Sequence, residues 1–215
     1  MIVNKENTNN EKGNVAVEVN DVTIQGTIVH KFVTPKIAIL TISTGNATSI
    51  VNYPKVLFFG DLREQVEKNY EVKDHVTIKG NIQSSRKKEG VVNQVRQSIF
   101  AESIERTPSV MKSAFNVESE HSHKPFVNSF KIAGQVVSLE CPYLNIVRIV
   151  VRVRKNGRLS FVPLVRHTRD AAKILSEIHP NDNVCVVGSV QTSKSVKEDG
   201  TRYYENYVIN EINKL

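Results

Sequence analysis

Apolar and polar residues alternate along most of this chain, the period expected of strands with one buried face. Val22 and Ile24 alternate with polar neighbours, and so do Val76, Ile78 and Ile82. Such runs recur around residues 22–29, 37–44, 50–59, 75–84 and 93–101, with one amphipathic helical stretch between the third and fourth. Asp61 is placed to cap that helix, with Glu64 three residues on as its capping-box partner. Leu62 and Val66 share a face, and Arg63–Glu67 and Glu64–Lys68 stand at i,i+4 spacing.

The pattern then repeats, displaced by 108 positions. Val22-Thr23-Ile24-Gln25-Gly26 matches Phe130-Lys131-Ile132-Ala133-Gly134, and the stretch from Val76 to Ile82 matches Val184 to Val190. In the second copy Thr168 is placed to cap a helix carrying Ala172, Leu175 and Ile178, ended by Pro180-Asn181-Asp182. Gly80 and Gly188 fall inside strand patterns, where a glycine marks a sharp bend. Five short strands with a helix between the third and fourth is the order of an OB-fold. The expected fold is therefore all-β, two tandem OB-fold barrels. They span residues 19–107 and 127–215, with a polar linker at 108–126 and an Asn/Glu/Lys-rich arm at 1–18 expected to be disordered.

Composition narrows the function classes. Hydrophobic residues at 40% and charged residues at 24% suit an ordinary globular protein. No apolar stretch approaches the ~20 residues that span a bilayer. The N-terminus has no apolar segment of the signal-peptide kind, so a cytoplasmic protein without membrane contact is expected. Cys141 and Cys185 fit no metal spacing and read as buried thiols, while His121 and His123 fall in the linker. GxxxxGK, HExxH, CxxC and GxSxG motifs are absent, and no carboxylate pair is set for metal-dependent chemistry. The expectation is a non-enzyme without cofactor or metal.

A net charge of +7 points towards a polyanionic partner, and the location of the charge sharpens this. Between Cys141 and Arg169 there is no acidic residue, yet Arg148, Arg152, Arg154, Lys155, Arg158, Arg166 and Arg169 all fall there. Val147, Ile149, Val151 and Val153 alternate with this row, so Arg148, Arg152 and Arg154 must share the outer face of one strand. Like charges side by side on a strand repel, and a bound polyanion would relieve them. Further cations are Lys79 on the fourth strand and Arg86, Lys87 and Lys88 in the hairpin after it. On the third strand residues 53, 55, 57 and 59 share a face and read Tyr53, Lys55, Leu57, Phe59. Rings stack on any base and a lysine neutralises phosphate, so this mix suits an unpaired strand of nucleic acid. At the same displacement Phe161 and His167 keep both ring positions, whereas Phe58 belongs to the opposite, core face.

The segments V-L-F-F-G-D-L, V-T-I-K-G-N-I-Q-S-S and V-T-I-Q-G-T-I resemble the core of the bacterial single-stranded DNA-binding proteins (SSB). The resemblance covers most of the first copy; the second shares the layout but has R-H-T where the first has F-F-G. It implies sequence-independent binding of single-stranded DNA with Tyr53 and Phe59 stacking on bases. It also implies four OB-folds acting together, hence a homodimer of a two-copy chain. The chain departs from the family in having no tryptophan and in carrying Arg86, Lys87 and Lys88 where a stacking ring is expected. The family's acidic tail, which recruits replication and repair enzymes, is not found after the last strand; this fits an accessory, phage or mobile-element form. Two other readings stay open on the same fold: an RNA-binding or primosome-like accessory factor, and a protein-docking module.

Overall fold

A computed structural model describes residues 18–45, 50–89, 92–107, 126–197 and 200–215, with backbone alone at 86–89, 92–95, 194–197 and 200–202. All but the last residue of the N-terminal arm, and all but Phe126 of the linker, lie outside the described residues. The elements of the first half are β1 (Val19–Val33), β2 (Ala38–Ser43), β3 (Lys55–Phe58), α1 (Gly60–Asn69), β4 (His75–Glu89) and β5 (Val92–Arg106). Those of the second are β6 (Val127–Tyr143), β7 (Ile146–Lys155), β8 (Arg158–His167), α2 (Ala171–Glu177), β9 (Asn183–Lys197) and β10 (Gly200–Lys214).

In the first half β1 pairs with β2 and β4, β4 with β5, β5 in parallel with β3, and β3 with β2. The ring closes on five strands, the all-β OB-fold order. The same pairings link β6, β7, β8, β10 and β9 in the second half. Alternation decides what fills each ring: Ile24, Ile28, Leu40, Ile42, Phe58, Ile78 and Ile99 are buried in one, and Ile132, Ile149, Val151, Val162, Leu164, Val186 and Tyr207 in the other. Burying an aliphatic or Phe side chain of this size contributes about 1.5–3 kcal/mol. Gly80 sits beside a register shift between Lys79 and Gly80, and a Cβ there would meet the Phe100 carbonyl oxygen at 2.2 Å. Gly188 is held equally close, against the Val208 carbonyl oxygen and the Phe130 ring.

Several local expectations are corrected. α1 starts at Gly60, its N-cap is Phe59, and no side chain caps it. Asp61 therefore lies inside the first turn, where a carboxylate still favours the helix dipole. The ion pairs Arg63–Glu67 (2.8 Å) and Glu64–Lys68 (3.3 Å) do form. α2 starts at Ala171 with Asp170 as N-cap; Thr168 Oγ1 accepts from the Asp170 N–H, two residues too early to cap the helix. Its inner face is Ala171, Ile174 and Ile178, and Ala172 is exposed. β3 has four residues, but Ile42 N–H donates to Pro54 O and Thr44 N–H to Asn52 O, so the ladder runs on past Tyr53. Cys141 is exposed rather than buried, because β6 overshoots the barrel into a hairpin; its Sγ donates to Tyr143 O at 3.0 Å.

The two rings join edge to edge. β1 pairs antiparallel with β6 from Val19↔Ala133 to Gln25↔Val127, and Val22 faces Phe130, its own counterpart in the repeat. A local two-fold axis therefore passes between these residues. Asn20 and Asn128 repeat the relation: each side-chain amide donates to, and accepts from, the backbone of Ile82 or Val190 respectively. The uniform displacement of 108 does not survive throughout. Thr27 faces Ser43 and Gln135 faces Arg152, so β2 maps onto β7 with one extra residue.

Candidate nucleic-acid interface

β7 behaves as its alternation requires. Val147, Ile149, Val151 and Val153 are fully buried, which leaves Arg148, Arg152 and Arg154 on the outer face, all exposed. None of the three has an ion-pair partner among the described residues. Across the antiparallel pair with β8, Arg152 faces Phe161 and Arg154 faces Leu159, and these side chains remain 37% and 40% exposed. A guanidinium and a ring thus share one wet sheet face. The β7–β8 hairpin turns through Asn156 (φ 52°) and Gly157 (φ 76°).

On the first barrel Tyr53 is 46% and Phe59 44% exposed, while Phe58 between them is fully buried. The rings expected to meet bases are held out of the core. Phe59 stacks on Phe100 of β5, with ring centroids 5.2 Å apart and planes 12° from parallel. Phe100 carries no signal in the sequence: in S-I-F-A-E-S-I it reads as the middle of a short apolar run. Its role depends on β3 lying parallel to β5, with Leu57 facing Phe100.

The remaining cations divide by surroundings. Lys79 is exposed on β4 opposite Ser103, and Lys55 has an exposed side chain on β3. Arg86, Lys87 and Lys88 lie on β4 itself, where the backbone alone is described. Lys155 is committed within the chain, at 2.7 Å from Asp21 and 2.9 Å from Glu102 on the first barrel. Burial works against its charge, but the bonds to Asp21 and Glu102 outweigh it and hold its pKa above the ordinary lysine value. The Arg166 guanidinium donates to the carbonyls of Ile209 and Asn210 and so ties β8 to β10. Arg158 lies over the Phe100 ring, its guanidinium carbon 5.5 Å from the centroid. His167 is exposed at the end of β8, opposite Ile146.

These contacts make a second seam between the barrels, and it obeys the local two-fold. Tyr53 N–H donates to Thr192 Oγ1 at 3.0 Å, and its counterpart Phe161 N–H donates to Ser84 Oγ at 2.9 Å. Lys55 N–H donates to Glu205 Oε1 at 2.7 Å. The counterpart of Lys55 is Pro163, which has no N–H; there Gln97 Nε2 donates to the Pro163 carbonyl at 3.0 Å instead. Burial in this seam pushes the Glu205 carboxyl up to about 6, against the N–H and charge of Lys55, which pull it down. Tyr53 and Phe161 thus stand at the two ends of one continuous seam, each anchored by its backbone and free at its ring.

No protein-family model and no curated protein matches the chain. Among solved structures, the single-stranded DNA binding protein from Thermus aquaticus matches 93% of this chain and 94% of its own, with 16% identity and a TM-score of 0.63. A deletion variant of that protein matches 92% and 95%, at the same identity and TM-score. Yeast mitochondrial Rim1, also a single-stranded DNA binding protein, covers 40% of this chain at 14% identity, with a TM-score of 0.33. The chain is SSB-like in fold. No helix among the described residues is long and apolar enough to cross a membrane, and no group of three or more potential metal-ligating side chains occurs among them.

Proposed function

We propose that this chain binds single-stranded DNA without sequence preference. The observation that carries the reading is the outer face of β7 and β8, where Arg148, Arg152 and Arg154 lack acidic partners among the described residues and Arg152 stands beside the exposed Phe161 ring. Tyr53 and Phe59 add rings on the first barrel. Phosphates meet the guanidinium groups, bases stack on the rings, and neither contact reads base identity. The Thermus aquaticus protein, whose fold the chain shares, is by its name a single-stranded DNA binder. Within this reading the chain serves replication, recombination or mobile-element DNA metabolism without catalysing a reaction, and two copies bring four barrels together.

The test is titration of the full chain with fluorescently labelled oligo-dT at several salt concentrations, with labelled duplex and oligo-rU as controls. The label is needed because the chain has no tryptophan. Tight binding to oligo-dT, weak binding to duplex and a log–log salt slope of about −0.7 per neutralised phosphate are expected. Tyr53→Ala and Phe59→Ala should each weaken binding by roughly fivefold to a hundredfold, the range for one lost base stack. Preference for oligo-rU would move the reading to an RNA-binding accessory factor. Absence of binding to any of the three at low salt would sink it and leave the docking-module alternative.

A further inference from the structure

The β7–β8 hairpin of the second barrel packs beside β1 and β4 of the first and reaches β5 through side chains: Gln97 Nε2 donates to the Pro163 carbonyl, Arg158 lies over Phe100 and Lys155 pairs with Glu102. Lys155 pins it there through two carboxylates. Arg158, across the same two-residue turn, is treated differently. It has no ion-pair partner among the described residues and rests over a ring that is itself stacked on Phe59. A guanidinium lying on a ring keeps its edge N–H groups available for an anion, which one satisfied by carboxylates does not. One cation of the hairpin docks it, and the other stays open to a ligand.

We propose that Phe59, Phe100 and Arg158 form one composite site for a nucleobase and its neighbouring phosphate, at which a single strand crosses from the second barrel to the first. The inference rests on the single-stranded DNA reading and deepens it. Approaching along β7, the strand meets Arg148, Arg152 with Phe161, then Arg154, and reaches the turn where Arg158 stands over Phe100. The next rings are Phe100 and Phe59, both on the first barrel. Neither barrel holds the whole site: the rings come from β5 and the end of β3, the cation from β8. Phe100 is only partly exposed, yet it lies outside the buried core of its barrel, whose β5 members among the described side chains are its neighbour Ile99 and Ile104.

The experiment uses the full chain and its Phe100→Leu and Arg158→Gln variants, each checked for an unchanged circular dichroism spectrum and thermal midpoint. The probe is oligo-dT with one photoreactive 5-iododeoxyuridine. Affinity, salt slope and the crosslinked peptide are read. Phe100→Leu should weaken binding by about tenfold, because it removes the ring on which Phe59 stacks and Arg158 rests. Arg158→Gln should weaken it and lower the slope by about 0.7, as expected for one lost phosphate contact. Crosslinks should fall on Phe59 or Phe100. If the unaltered chain binds oligo-dT but both variants bind as well as it does, or crosslinks avoid both rings, the composite site is wrong while the functional reading stands. If the unaltered chain does not bind, the functional reading itself has failed. Should Phe100→Leu lower the thermal midpoint, Arg158→Gln, on an exposed hairpin end, decides the question alone.

Discussion

Glu205→Gln offers a quantitative test of the seam between the barrels. The Glu205 carboxylate accepts the Lys55 N–H at 2.7 Å, but its seat removes it from water, and its pKa rises from 4.5 to about 6. A folded-state pKa above the unfolded value means that the folded protein holds the proton more tightly. The contribution of Glu205 is therefore complete below about pH 4.5 and is lost as pH rises through about 6. At ~1.4 kcal/mol per pKa unit, ionised Glu205 costs the folded state about 2 kcal/mol at neutral pH. Glutamine presents the same oxygen to Lys55 and carries no charge. The variant should be more stable than the parent at pH 7.5 by up to about 2 kcal/mol, which for a chain of this size is a rise of roughly 4–8 °C in thermal midpoint. Near pH 4.5 the two should converge.

Thermal unfolding followed by far-ultraviolet circular dichroism at pH 4.5, 6 and 7.5 reads this directly. The difference between variant and parent should open between the first and last pH, which separates it from effects common to both. A variant that is less stable at pH 7.5 would refute the reasoning, because it would show that the charge of Glu205 is used and not merely tolerated. A difference that does not change with pH would refute it as well, by locating the effect in packing.

Four further outcomes follow from the same geometry. Gln97→Glu would set a carboxylate against the Pro163 carbonyl, where no N–H exists; a loss of about 1–3 kcal/mol is expected at neutral pH, and denaturant titration should show it shrinking in acid as the introduced carboxyl, once protonated, donates again. Gly188→Ala would force a Cβ to 2.2 Å from the Val208 carbonyl and 2.3 Å from the Phe130 ring, so a loss above ~4 kcal/mol or failure to fold is expected. Gly60→Ala meets no neighbour and should cost only the ~1–2 kcal/mol of a left-handed backbone, so equal thermal midpoints for the two glycine variants would contradict the argument. Lys155→Met should lower stability while leaving the salt slope of oligo-dT binding unchanged, whereas Arg152→Gln should lower that slope by about 0.7 and spare stability.

Much of the scaffold was legible because it rests on local rules. Alternation placed Val22, Ile24, Ile78 and Ile82 inside and set Tyr53 and Phe59 apart from Phe58, and the buried and exposed faces follow it. The arginine row on β7 was legible for the same reason. What escaped depends on contacts between distant segments. The caps assigned to Asp61 and Thr168 satisfied the sequence rule, but the chain enters α1 through Phe59, whose ring is held by Phe100 on another strand. Lys155 looked like one more cation of a basic run; Asp21 and Glu102, which neutralise it, lie 134 and 53 residues away. Glu205 gave no signal at all, because its character comes from burial against the other barrel.

The two copies share a scaffold but have parted in chemistry, and the seam records how. Where the first barrel offers the Lys55 N–H, the second supplies an acceptor, Glu205; where the second barrel has Pro163 and no N–H, the first supplies a donor, Gln97. Each half is fitted to the other and not to itself. The same division runs over the outer surface. The residue of β2 that corresponds to Arg152 is Ser43, and the one corresponding to Arg148 is Ile39, since Ile39 faces Leu57 as Arg148 faces Val165. The first barrel therefore carries the stacked rings Phe59 and Phe100 without the arginine row, and the second carries the row with Phe161 beside it. A ligand that uses both the arginine row and the stacked Phe59–Phe100 pair has to pass from one barrel to the other. The β7–β8 hairpin, pinned by Lys155 and carrying Arg158 above Phe100, lies between them.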